Sequence, residues 1–405
     1  MFIVRGYASA DTITWLGFAR FICINTFYAQ TLGPAKWGAV LSRKHKQLDD
    51  SGTGQEYSRS DATAKYMKKR HKRTRHHVFA VIAVTLVVSL FAFVGVAWAY
   101  INGINSRLAR GVSQDTLKAL TEVQDGEPFY ILLLGIDKDQ DRANGTEYGP
   151  SDSSYRSDSI MLARVDPKEI KVTLVSIHRD ILVDLDEYGQ QKINAAFTFG
   201  GAPYSIKTIE KLAGVKISHY AEVDMDGLAK VVDTVGGIDV DLPVDVKDSE
   251  YTGIDLKKGH QHINGKEATL LCRARHAYDE YGDGDRYRAA NQRMVIGAVI
   301  KKVLRSDPGT MTAAISSMAD MVTTDMNVNS ILGLATSMSS LDVDKNVMGG
   351  MTPTTSDNST GTWYEILDVE AWKHMMERVD QGLSPYDGNS YDDTAGIAAK
   401  MDKKD

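Results

Sequence analysis

The chain has 405 residues, 43% of them apolar and 25% charged, with a net charge of -6. That is the composition of an ordinary globular protein, long enough for one large domain or two smaller ones. The acidic balance argues against a general nucleic-acid binder, although the charge is unevenly placed along the chain.

Residues 1–77 read as a cytoplasmic N-terminal region, largely disordered, that ends in a basic block. Lys65, Lys68, Lys69, Arg70, Lys72, Arg73 and Arg75 crowd together there, with His71, His76 and His77 interleaved. Residues 78–100, VFAVIAVTLVVSLFAFVGVAWAY, then run without one charge. As a helix such a run is about 35 Å long, enough to cross a hydrocarbon core of about 30 Å. A buried soluble helix of this length would carry a polar face, and a signal peptide would be shorter and nearer the start. With the basic block on its N-terminal flank, the positive-inside rule puts the N-terminus in the cytoplasm and everything past about residue 101 outside. The two cysteines, Cys23 and Cys272, then lie on opposite sides of the membrane and cannot pair, and Cys272 sits in an apolar run as a small core residue.

Residues 101–126 form an extracellular stem in this reading, 127–380 the folded domain and 381–405 a disordered tail rich in Gly, Asp, Ser and Lys. The domain opens with an apolar run at 129–136, as a strand buried on both faces would. Strands follow at 160–165 and 172–177, around the turn signal Asp166-Pro167-Lys168, and then at 220–223 and 238–242. Helices are expected at 205–212, 225–235, 288–304, 311–322, 328–339 and 369–379. In the strongest of them, Val295, Val299 and Val303 with Ile296, Ile300 and Leu304 fall on one face. Strands alternating with helices predict an α/β fold: a mixed central sheet sandwiched by helices, preceded by one transmembrane helix.

Chemistry concentrates at the ends of these strands. Asp137 follows the first strand directly, and Asp158 enters the second beside Arg156. Two such carboxylates hold Mg²⁺ or Mn²⁺ loosely and leave positions open for phosphate oxygens. The loop between them starts like an EF-hand, but Arg142 replaces its glycine and Tyr148 its bidentate glutamate. Arg179 emerges from the third strand. Arg273 and Arg275, two apart, share a face if that segment is extended, and Arg288 and Gln292, four apart, share a helix face. Any one of these arginines is as well explained as a solvated surface residue. Together, guanidinium forks and metal-binding carboxylates suit a diphosphate carrying a divalent cation. His178, His260, His262 and His276 show no metal-ligand spacing, and no Walker loop or nucleophile elbow is present.

At these residues the chain resembles the LytR-CpsA-Psr family of Gram-positive envelope enzymes. The matching stretches are ILLLGID (131–137), RSDSIMLARVDP (156–167), KVTLVSIHRD (171–180), KINAAFTFGG (192–201), DMDGLAKVVDTVGGIDVDLP (224–243), GHQHINGKEATLLCRARH (259–276) and GDRYRAANQR (284–293). The resemblance implies a membrane-anchored extracellular phosphotransferase that moves a glycan, such as teichoic acid or capsule, from polyprenyl diphosphate to peptidoglycan. It implies that Asp137 and Asp158 hold Mg²⁺ and that Arg156, Arg179, Arg273, Arg275, Arg288 and Gln292 clamp the diphosphate. It implies catalytic roles for Asp158, Arg179, Arg273 and Arg288, and an apolar cavity for the lipid tail between sheet and helices. His178 stands where the family usually has proline, and Asn291 where a second arginine is common. Asp158, Asp180 and Asp285 remain alternative candidates for the general base. Two other functions fit less of the chain: hydrolysis of the same lipid diphosphate by a pyrophosphatase or phosphatase, and a membrane-anchored transcriptional regulator or binding module. Only the basic block favours nucleic acid, and its place against the span explains it as a topology determinant.

Overall fold

The structure, a computed structural model, describes residues 59–136, 157–281, 284–359 and 361–387. The expectations for residues 1–58 and for the tail beyond 387 lie outside the described residues. The chain divides into two compact units, residues 1–82 and 83–405, and the second carries the fold.

Helix α1 (Arg59–Leu108) contains the expected span and also the basic block, which is helical rather than disordered. It is the one helix, among the described residues, long and apolar enough to cross a membrane. Its C-terminal turns are part of the domain. Ile104 and Leu108 are buried against Ile315, Ala319, Val322 and Val328. The Asn105 side chain accepts a hydrogen bond from the Val328 amide at 2.8 Å, and Arg107 pairs with Asp320 at 3.0 Å. The expected stem is therefore packed where it begins, and it continues into the short α2 (Gln114–Ala119), capped by Ser113.

Six strands make the central sheet: β1 (Phe129–Ile136), β2 (Ser157–Asp166), β3 (Lys171–Ile177), β4 (Ile217–Asp224), β5 (Val322–Thr324) and β6 (Val347–Met351). Their order is β5-β4-β1-β2-β3-β6. β1 runs parallel to β4 and antiparallel to β2, and β3 runs parallel to β6, so the sheet is mixed. Alternate residues of β1 serve two cores, as the period of two requires. Leu132, Leu134 and Ile136 pack against Ile206 and Ile209 of helix α3 (Ala195–Ala213), together with Trp372 and Met375. Phe129, Ile131 and Leu133 join Met161 and Leu174 on the opposite face, under Ile296 and Leu334.

Helix α3 reaches further than the expected 205–212 because it is two helical pieces joined at Gly200 and Gly201. Gly201 has φ 61, a left-handed conformation that glycine adopts without strain. After it come α4 (Met225–Thr234), a hairpin of strands Ile238–Leu242 and Gly259–Ile263, and α5 (Gly265–Arg273). The sequence reading passes over α5, although Asn264 and Glu267 form a capping box at its start. Then follow α6 (Gly284–Leu304), α7 (Pro308–Met318), α8 (Val328–Ser337) and α9 (Val369–Asp380).

Three expectations need correction. The helix expected at 311–322 ends at Met318, and Val322–Thr324 is an edge strand paired with β4; Asp307 and Pro308 start α7 early as cap and first residue. The apolar face of α6 is two stripes. Val295, Val299 and Val303 pack with Val232, Ile238 and Leu271, whereas Ile296 and Leu304 face the sheet. Finally, residues 381–387 fold back on the domain: the Tyr386 hydroxyl accepts from the Met351 amide at 2.9 Å, and Arg378 Nε donates to the Ser384 carbonyl.

Candidate functional site

β1 and β3 end on the same side of the sheet, where β2 begins, because each is antiparallel to β2. That register sets Asp158 and Arg179 side by side: Arg179 Nη1 donates to Asp158 Oδ1 at 2.8 Å. The other half of the site comes from α5 and α6. Arg275 follows α5, and Asp285 and Arg288 lie in the first turn of α6. Gly284 lets the two segments meet, since a Cβ there would sit 2.7 Å from the Arg275 carbonyl oxygen.

Asp285 is the hub of the cluster. Arg288 Nη2 donates to its Oδ2 at 2.9 Å; Arg179 Nε stands 3.8 Å from the same oxygen and His178 Nε2 3.5 Å. Arg275 Nη1 lies 3.8 Å from Oδ1. From sequence Asp285 is only one of three candidate bases; the fold gives it three arginines. Asp180 lies beside Arg179 at 3.5 Å and takes a 2.8 Å bond from Lys192. His178 Nδ1 accepts from the Asp180 amide, and its Nε2 faces Asp285. Four cations thus face three carboxylates, a surplus of positive charge.

Burial shapes their ionisation. It disfavours the Arg179 charge, but Asp158, Asp285 and Asp180 outweigh it and hold the guanidinium above its ordinary value. Arg288 is pushed down by burial and by Arg179 and Arg275, against the pull of Asp285. Asp180 is held below the usual carboxylate range by Lys192 and Arg179, despite burial. Two buried atoms of the hub, Arg179 Nε and Asp285 Oδ1, have no hydrogen-bond partner among the described residues. Buried polar atoms are almost always satisfied, so an orphan donor and an orphan acceptor in one cluster mark a place for a ligand.

The remaining expected residues are placed as follows. Gln292 is buried and its amide is committed to the scaffold: Oε1 accepts from Ser159 Oγ at 2.8 Å, and Nε2 donates to the Cys272 carbonyl at 3.1 Å. Arg273 is the last residue of α5, so the segment is not extended through both arginines as the expected shared face requires. Arg273 is exposed, and no hydrogen bond or ion pair among the described residues ties it to the cluster. Asp137 and Arg156 lie outside the described residues. Arg293 is buried and donates to Ser176 Oγ at 2.7 Å, tying α6 to β3. Asn291, at the position where a second arginine is common, donates to the Leu271 carbonyl and the Tyr278 hydroxyl. Cys272 is a buried core thiol pushed up to about 12 by burial.

For a divalent cation the donor chemistry fits. His178, Asp180 and Asp285 offer ligand atoms within 4.8 Å of one another, and Asp158 adds carboxylate oxygens beside them. Mg²⁺ prefers such oxygens together with phosphate oxygens. Three neighbouring arginines repel a bare cation, so the set suits a cation that arrives with its anion. A groove of about 810 Å³ lies elsewhere. It lies at the N-terminal end of β1, lined by Phe129, Glu122, Asp125, Glu127, His219 and Asp325. Acidic walls do not receive a diphosphate, so the assignment rests on the charge cluster and not on volume.

The LytR_cpsA_psr family model matches residues 99–381, well over half of the chain. A Streptococcus mutans protein named biofilm regulatory protein A is 38% identical over 198 residues, 46% of this chain and 46% of that protein. The chain thus matches under half the length of that relative. An Enterococcus faecalis protein named polyisoprenyl-teichoic acid–peptidoglycan teichoic acid transferase TagU is 30% identical over 262 residues, 64% of this chain and 82% of that protein. Among solved structures, B. subtilis TagV superposes with a TM-score of 0.54 at 27% identity, covering 64% of this chain and 98% of TagV.

Proposed function

The chain belongs to the LytR-CpsA-Psr family, and from that premise we propose that it is a membrane-anchored phosphotransferase that moves a wall glycan from polyprenyl diphosphate to peptidoglycan. The observation that carries the reading is the convergence of Arg179, Arg275 and Arg288 on one half-satisfied carboxylate. The name of the Enterococcus faecalis relative supports it. The basic block before the apolar run of α1 supports an extracellular domain, where lipid-linked diphosphates are the available donors.

In this reading the guanidinium groups of Arg179, Arg275 and Arg288 take over the diphosphate oxygens that Asp158 and Asp285 now stand in for. Arg156 and Arg273 complete the clamp, and Gln292 holds β2, α5 and α6 in register beneath it. Asp137 and Asp158 would hold Mg²⁺, which when bound would neutralise charge on the phosphate oxygens. The polyprenyl tail would enter between sheet and helices, where Ile131, Leu133, Met161, Ile296 and Leu334 now pack against one another. The acceptor hydroxyl oxygen bonds to the glycan-bearing phosphorus, and the bond from that phosphorus to the bridging oxygen breaks. Polyprenyl phosphate leaves with the electron pair, and the arginines stabilise the charge it gains. The hydroxyl proton passes to a carboxylate. Asp180 is a poor base, because Lys192 and Arg179 lower its proton affinity despite its burial. Asp285 and Asp158 remain.

Incubation of the full chain with a lipid-diphosphate glycan, Mg²⁺ and peptidoglycan oligomers tests the reading. Glycan is expected on the oligomers, and Arg179→Ala is expected to lower transfer by about 10³-fold or more while circular dichroism shows an intact fold. Release of free glycan phosphate with or without oligomers would make the protein a hydrolase. Undiminished transfer by folded Arg179→Ala would remove the site assignment.

A further inference from the structure

We propose that an exposed aromatic surface beside Asp180, made by Tyr188, Phe199, Trp363 and Tyr364, binds the pyranose rings of the acceptor glycan strand. The proposal rests on the function proposed above and supplies the acceptor site that the charge cluster lacks. Both halves of the surface are wired to the segment that carries Arg179. The Asp180 carbonyl accepts from the Glu365 amide at 3.0 Å, and Ile181 bridges Glu365 in parallel register. The Arg179 carbonyl accepts from the Asn194 amide at the start of α3. Lys192, bonded to Asp180, lies 5.9 Å from the centre of the Tyr364 ring.

Three of the four rings are exposed and yet held in place, and Tyr364 is half-buried. Trp363 is 53% exposed, and Tyr188 and Phe199 are 39% each. The Trp363 indole N–H donates to Glu365 Oε1 at 3.2 Å, and that oxygen is fixed in turn by Ser356 Oγ at 2.6 Å. Glu365 is itself buried. A buried carboxylate that orients a solvent-facing indole has little to do with core packing; it presents one face of the ring outward. Tyr188 and Phe199 stack at 4.1 Å with an interplanar angle of 3°, a flat double platform, and Tyr204 braces it edge-on. Large exposed apolar patches mark interaction sites. The partner that suits flat, oriented rings among polar neighbours is a sugar, whose apolar face turns its slightly positive C–H groups onto the negative face of an aromatic ring.

Binding of soluble, uncrosslinked peptidoglycan glycan strands to the full chain in nanodiscs, measured by calorimetry, is the test. Trp363→Ala and the pair Tyr188→Ala with Phe199→Ala are each expected to weaken binding about tenfold, the scale of lost aromatic contacts. Trp363→Phe is expected to restore most of it, and Arg179→Ala to bind like wild type. In the transfer assay the aromatic variants should raise KM for the strand and leave kcat unchanged. If wild type transfers glycan and the aromatic variants keep its strand affinity and KM, the surface is not the acceptor site, while the proposed function stands. If wild type binds strands through these rings and transfers nothing, the function falls and the surface remains. A change in self-association rather than in strand binding would make the patch a contact between copies of the chain, and would overturn the proposal.

Discussion

The two ends of the central sheet hold carboxylates in opposite conditions. Where β1 begins, Asp325 is satisfied: its Oδ2 meets His219 Nδ1 at 2.6 Å, and its Oδ1 accepts from the Tyr220 amide at 2.9 Å. That pair staples the segment after β5 to β4 and borders the groove of about 810 Å³. Where β1 ends, Asp285 has three arginines around it and still leaves Oδ1 without a hydrogen bond. One carboxylate is used up by the fold, whereas the other is surrounded by more positive charge than it neutralises. The difference separates a structural ion pair from a site awaiting an anion.

The largest effect expected is at the hub. Asp285→Ala leaves Arg179, Arg275 and Arg288 crowded without their shared counter-ion, and removing one partner of a buried ion network costs about 3–5 kcal/mol. Urea unfolding measures the loss. Inorganic pyrophosphate should recover more stability in the variant than in wild type, because it replaces the missing negative charge. Equal stability of variant and wild type would show that Asp285 is an ordinary surface partner.

The second effect divides two arginines that look equivalent in the sequence. Arg275 reaches towards Asp285 and Arg273 does not. Arg275→Ala should lower transfer by about 10²-fold, the scale of one lost charge-stabilising donor, and Arg273→Ala by clearly less. Steady-state rates on folded variants decide, and the reverse order would mean that the α5 terminus rearranges around the substrate.

That pair also shows what a sequence can and cannot disclose. The strand at 129–136 and the span at 78–100 are legible because continuous apolar runs leave few alternatives. Ile238–Leu242 is legible from its alternation, and its bounds agree with the expected 238–242. The Arg273–Arg275 spacing depends on the local period, and a nine-residue helix ending at Arg273 breaks it. The edge strands Val322–Thr324 and Val347–Met351 are defined by their partners β4 and β3, which a local pattern does not contain. Asp158, Arg179, Arg275 and Arg288 could be named as a charged group, but that three arginines share Asp285 follows from the crossing of α6 over the strand ends. Gln292 looks like a ligand group from its place on the helix, and only the fold shows its amide spent on Ser159 and Cys272.

At the other end of the sheet, Asp325→Ala removes acceptors from His219 and from the Tyr220 amide, both at least partly buried. Leaving such donors unsatisfied costs about 1–3 kcal/mol. Stability should fall by that amount, with transfer per folded molecule unchanged. A loss of transfer out of proportion to the loss of fold would erase the distinction between the two ends and make the groove part of the site.

The smallest effect belongs to Asp180, which stands between the two conditions: paired to Lys192 like a structural residue, yet adjacent to Arg179. Its folded carboxyl is held below the ordinary value. An acid whose folded value is depressed contributes stability that is complete above its unfolded value, near pH 4. That stability is lost as the pH falls from there through the lowered folded value. Lys192→Met weakens the depression, so less stability is available above pH 4 and the acid-unfolding midpoint should move to higher pH. Transfer at neutral pH should be retained, because Asp180 remains ionised there and Arg179 keeps Asp158 and Asp285 as partners. If acid unfolding is unchanged while transfer falls, Lys192 serves the substrate rather than the fold, and Asp180 belongs with Asp285 rather than with Asp325.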